Sequence, residues 1–120
     1  MRIIKIQQKF FWFVLVLVVI FLSLLPQDRI FVETPFSDKA DHFIAYFGLI
    51  FVALLSSAHK RPIWMILLGH IILGIGIEYV QSFVPGRYPE FLDVIANSLG
   101  VLGGALVYFL FRKLKPEELN

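Results

Sequence analysis

Cysteine is absent from the 120 residues, which excludes a disulfide framework, a thiolate metal site and a thiol nucleophile. Charge is scarce too. Charged residues make up 17% of the chain and the formal net charge is +2, with no basic patch, so nucleic acid is excluded as a partner. Only three histidines are present, and no H-E-x-x-H spacing occurs. No cofactor is expected and no metal site is assigned. Zinc has a single histidine available near the polar residues described below, and a hard cation bridging carboxylates to a phosphate has no spacing in its favour.

What the chain has is apolar bulk. Hydrophobic residues are 58% of it and the mean hydropathy is +0.79. One domain of this length cannot bury that much apolar surface inside itself, so lipid is the natural solvent for the surplus. Four apolar stretches stand out, at about 10–25, 42–58, 62–84 and 91–111. A bilayer core needs about 20 helical residues, with about 17–25 usual. Lys9 and its flanking neighbours extend the shorter stretches by snorkelling. Pro26, Pro62 and the Pro85-Gly86 pair punctuate the spans where helices should start or stop. The expected fold is therefore an all-α, integral membrane four-helix bundle forming a single domain over residues 1–120. A cleaved signal peptide is the alternative for the first span, but Ser23-Leu24-Leu25-Pro26-Gln27 lacks the small-x-small cleavage pattern.

The basic residues set the expected direction. Arg2, Lys5, Lys9, Lys60, Arg61, Arg112, Lys113 and Lys115 fall on one side of such a bundle, against Arg29, Lys39 and Arg87 on the other. Both termini are thus expected in the cytoplasm, with 26–41 and 85–90 outside. That topology brings the polar residues of three helices to the same outer level. Asp38, Lys39, Asp41 and His42 open helix 2, Glu78 and Gln81 lie near the end of helix 3, Arg87 is in the loop, and Asp93 and Asn97 open helix 4.

Glu78 and Gln81 share a helical face that continues through Gly74 and His70, and Asp93 and Asn97 share one with Gly100. Ala96, Gly100 and Gly104 form a small-xxx-small ladder that admits a second helix closely. Asp93 gains about 0.3–1 kcal/mol from the helix dipole. Glu78 stands in the C-terminal part of its helix, where the dipole opposes an anion, and needs Arg87, Lys39, His42 or a proton for compensation. The bland account is a hydrogen-bond network locking helix 3 to helix 4, at about 0.6 kcal/mol per bond. Amides would do that more cheaply than carboxylates. Asp38 and Asp41 are ordinary acids of a first helical turn, and His70 reads as a packing histidine. Asp38-x-x-x-His42 and Asp93-x-x-x-Asn97, each after a proline (Pro35, Pro89), hint at a parallel repeat of two hairpins.

The run Asp38-Lys39-x-x-His42-Phe43-x-x-Tyr46-Phe47-Gly48-Leu49, then Glu78-x-x-Gln81-x-Phe83-x-Pro85-Gly86-Arg87, then Asp93-x-x-x-Asn97-x-x-Gly100, resembles the VanZ-like family of small bacterial membrane proteins. The resemblance implies a multi-pass protein of the bacterial inner (cytoplasmic) membrane and cell envelope, in a family named for glycopeptide (teicoplanin) resistance. It covers three of the four helices. The reading taken forward is an outward-facing polar pocket of Asp38, Lys39, His42, Glu78, Gln81, Arg87, Asp93 and Asn97 that binds an anionic lipid or lipid-linked cell-wall precursor, with Arg87 and Lys39 on the anion. A membrane enzyme acting on such a precursor and a structural or assembly partner are the alternatives. Transport by so short a chain would require a homo-oligomer.

Overall fold

The computed structural model describes residues 2–26, 38–57 and 61–115. Four helices follow one another: α1 (Arg2–Leu24), α2 (Asp38–Ser57), α3 (Ile63–Gln81) and α4 (Phe91–Leu114). Each contains a stretch long and apolar enough to cross a membrane. Three helices begin earlier or end later than the apolar runs suggest. Polar first turns and basic last turns are good helix formers in water: Asp38 and Asp41 open α2, and Arg112 and Lys113 close α4. α3 is shorter than its run, because Ser82, Phe83 and Val84 donate instead to the carbonyls three residues back, at 3.2, 3.1 and 3.0 Å. The chain then reverses at Val84–Arg87, where the Arg87 N–H meets the Val84 carbonyl at 3.1 Å. Proline fixes the first central position of that turn, and Gly86 supplies the positive φ (79°) the second requires.

Helices α2 and α4 form the tightest pair and run in the same direction. Gly100 lies on the backbone of Phe43, Gly104 on that of Phe47, and Tyr108 meets the ring of Phe51 at 6.2 Å between centroids. Four-residue steps on both helices keep one face against the other. The completely buried residues Tyr46, Leu49, Ile50, Leu54, Val101 and Tyr108 fill this seam. α1 and α3 also run together, with Trp12 beside His70 near one end and Ser23 beside Gln81 at the other.

α3 reverses the pattern of a soluble helix. Its buried face is His70, Gly74, Ile77, Glu78 and Gln81, while Trp64, Leu68, Ile72, Ile75 and Tyr79 are exposed. Large apolar side chains are exposed along all four helices, far beyond what a water-soluble monomer tolerates. Hydrocarbon is the solvent such a surface fits, and the polar groups turn inward because lipid cannot hydrogen-bond them. His70 is the packing histidine of this interior: its Nδ1–H donates to the Ile66 carbonyl at 2.8 Å and its Nε2 accepts from Trp12 Nε1 at 3.2 Å.

Candidate functional site: a charged cluster at one end of the bundle

The alternating helix directions bring the start of α2, the end of α3 and the start of α4 to one end. There the Lys39 ammonium donates to Asp93 Oδ1 and, at 2.8 Å, to Glu90 Oε2, with Asp38 Oδ2 at 3.7 Å. His42 is set one turn deeper. Its Nδ1 donates to Asn97 Oδ1 at 2.9 Å, which fixes the direction of Nε2. That nitrogen faces Asp38 Oδ2 at 3.7 Å and Asp93 Oδ2 at 3.9 Å. Glu78 Oε1 stands 3.8 Å from Nδ1 on the other side of the ring. His42 is thus bracketed by carboxylates from its own helix, from α3 and from α4.

Burial separates these acids. Asp93 and Glu78 are 5% exposed, whereas Asp38 and Glu90 are open to solvent. Asp93 is compensated by Lys39 and sits in the first turn of α4, where the helix dipole favours it. Glu78 has neither advantage. Both of its carboxylate oxygens, and the neighbouring Tyr46 hydroxyl, are buried without a hydrogen-bond partner. Such orphans are rare in folded proteins because each forfeits its hydration with nothing in return, about 1–3 kcal/mol or more. The small face of α3 makes this packing achievable: a Cβ at Gly74 would meet the Tyr46 ring at 3.2 Å and Asn97 at 3.3 Å.

Two of the eight expected site residues point elsewhere. Gln81 Nε2 donates to the Ser23 carbonyl at 2.6 Å, and Arg87 donates to the carbonyls of Leu25 (Nε, 2.6 Å) and Leu22 (Nη2, 2.8 Å). The last carbonyls of a helix have no intrahelical donors, and α1 has no basic residue in its last turn. The α3–α4 turn supplies what α1 lacks. Arg87 therefore acts as a side-chain cap for α1, held in reach by the Gly86 turn. Arg87→Gln is expected to lower stability by about 2 kcal/mol, the range for a charge-assisted bond, and to loosen α1 first. Cysteine cross-linking of Ser23 to Gln81 positions in Ser23→Cys/Gln81→Cys would report it as slower bridging; an unchanged rate would contradict the capping role.

Asp38, Lys39, His42, Glu78, Asp93 and Asn97 do come together. Glu90 joins them without having been singled out, as does Tyr46, which stood in the family motif but was not assigned to the site. Both carried a spacing signal, Tyr46 four residues after His42 and Glu90 three before Asp93. A separate cleft of about 550 Å³ lies toward the opposite end of the bundle, bordered by Lys9, Trp12, Ser56, Arg61 and His70. The Pro35 half of the suggested repeat lies outside the described residues; the second members of the two motifs, His42 and Asn97, bond to each other.

A bundle of four membrane-spanning-length helices with a charged cluster at one end defines an all-α class of membrane protein. The sequence matches VanZ/LLP1 over residues 5–112, and the chain belongs to that family. It is also similar to an uncharacterised protein of Schizosaccharomyces pombe, 32% identical over 89 residues, which are 72% of this chain and 55% of the yeast protein. The chain thus spans about half the length of that curated relative. No solved structure matches.

Proposed function

We propose that this chain is a multi-pass protein of the bacterial cytoplasmic membrane that binds the polar head of an anionic lipid or lipid-linked cell-wall precursor at its charged cluster. The observation that carries the reading is Glu78, a buried carboxylate with no donor, set among charged groups from three helices. A headgroup rich in hydroxyls or amines supplies donors to Glu78, and its negative group meets Lys39, which remains about a third exposed. Arg87 is committed to α1, so the anion contact falls chiefly to Lys39. The excess of basic residues at the other end of the bundle supports a cytoplasmic placement of the termini and an outward-facing cluster. A link to teicoplanin resistance is supported by the family resemblance alone, and the yeast relative gives a bacterial envelope role no support.

Native mass spectrometry of the chain released from nanodiscs tests this. With phosphatidylethanolamine, phosphatidylglycerol and a labelled polyprenyl-linked precursor present, one phosphate-bearing amphiphile is expected to remain bound. Glu78→Gln and Lys39→Gln should each reduce its retention at least about tenfold, the scale of one lost charge-assisted contact. Unselective retention, equal in all three proteins, would sink the reading. A second reading, an enzyme acting on the same head, is favoured by one feature: His42 lies within 4 Å of carboxylates on both sides, an acid–base arrangement. Turnover of the labelled precursor by the wild type, abolished in His42→Gln, would select it over simple binding.

A further inference from the structure

The cluster carries more negative than positive charge. Asp38, Glu78, Glu90 and Asp93 face one lysine and one imidazole whose Nδ1–H is already donated to Asn97. That donation matters, because it fixes the ring with His42 Nε2 facing two carboxylate oxygens, at 3.7 and 3.9 Å. Three potential ligand atoms converge there. One donor atom from each of Asp38, His42 and Asp93 lies within 4.8 Å of the others. Nitrogen and oxygen ligands at about 2.0–2.2 Å from a metal stand about 3–3.6 Å from one another, so a contraction of up to about 1 Å closes this triad on an ion. Asp38 is exposed and free to make most of that movement.

We propose that Asp38, His42 and Asp93 form a divalent-cation site, with His42 Nε2 and one oxygen of each carboxylate as the protein ligands. Three further features fit a metal. Asn97 holds the imidazole by its other nitrogen, the usual second contact of a metal-bound histidine, fixing both tautomer and ring plane. Lys39 occupies the other oxygen of Asp93, so the carboxylate serves both cations at once. Glu78, buried without a hydrogen-bond donor, stands 3.8 Å from the same imidazole on its Nδ1 side, and its carboxylate adds to the negative charge that a divalent ion would offset. One imidazole with two carboxylates and no sulfur suits zinc or manganese better than calcium or magnesium, which favour all-oxygen shells.

The site stands independently of the headgroup reading, though an ion there would let an acidic cluster accept a phosphate. The test uses the full chain in detergent, stripped with chelator and titrated with zinc or manganese chloride alone, with no lipid phosphate present. One equivalent of saturable binding is expected. Asp38→Asn, at an exposed position that leaves the fold intact, and His42→Gln should each weaken it at least about tenfold, while Glu90→Gln, which touches Lys39 but not the triad, should stay within about twofold. Pulsed EPR of bound Mn²⁺ should show coupling to one imidazole nitrogen that is lost in His42→Gln. No saturable binding, affinity unchanged by both triad substitutions, or absence of nitrogen coupling would each overturn the site. Because the titration contains no lipid headgroup, a negative result removes the cation site without bearing on headgroup binding, and a failed lipid experiment does not touch the cation site.

Discussion

Alanine in place of Gly100 is expected to cost the bundle about 3 kcal/mol, the upper part of the usual range for overpacking a close contact. A methyl group there would run into the carbonyl oxygen of Phe43 and stand 3.1 Å from the amide nitrogen of Phe47. Both atoms are backbone, so no side chain can rotate away and α2 must withdraw as a whole. Gly104 is the same case one turn on, with the Phe47 carbonyl oxygen 2.5 Å from an added Cβ. The effect reaches the charged cluster, since α2 carries Lys39 and His42 while α4 carries Asp93 and Asn97. Gly48→Ala is the internal comparison: nothing lies within 4 Å of its Cβ position, and alanine in a helix is worth about 0.5–1 kcal/mol over glycine. Unfolding in mixed micelles should therefore separate the two alanine variants by several kcal/mol. Equal stabilities would mean that α2 and α4 are not held in contact by these glycines.

The ladder on α4 was legible because it is a local pattern, one small residue every four positions. The same holds for the four helices and for the Pro85-Gly86 reversal, whose residue types leave few conformations open. That the polar residues of α2, α3 and α4 share one end also follows from sequence, since successive spans must alternate in direction. Partner choice did not follow. Arg87, Lys39 and His42 were equal candidates for compensating Glu78, and the structure sends Arg87 to the carbonyls of Leu22 and Leu25 and Lys39 to Asp93, leaving His42 nearest at 3.8 Å. Backbone carbonyls at a helix end carry no residue-type signature, so a side chain recruited to cap them cannot be told from one awaiting a ligand. The first helix illustrates the same point. It has no motif of its own, yet Ser23 and Leu25 decide what Gln81 and Arg87 do.

Replacing Lys39 by methionine is expected to destabilise the protein by about 2–3 kcal/mol. Removing one partner of a fully buried ion pair costs about 3–5 kcal/mol, because the remaining charge is stranded. Here the figure is reduced because the Lys39 side chain is 36% exposed and water screens it. The stranded group is Asp93, whose side chain is only 7% exposed and which shares His42 with Asp38 and Glu78 and the Lys39 ammonium with Glu90. Glu90 loses the same partner but is 57% exposed, so Glu90→Gln alone should change stability by about 1 kcal/mol or less. A double-mutant cycle isolates the cause. Lys39→Met combined with Asp93→Asn should recover most of the loss, since the amide no longer needs a cation, whereas Lys39→Met with Glu90→Gln should recover little. Full additivity of Lys39→Met and Asp93→Asn would show that the lysine acts through its aliphatic stem rather than its charge. A divalent ion held by Asp38, His42 and Asp93 adds a second expectation to the same protein. Zinc should restore stability to Lys39→Met, because it returns positive charge to Asp93, and should fail to do so once His42→Gln has removed the nitrogen ligand.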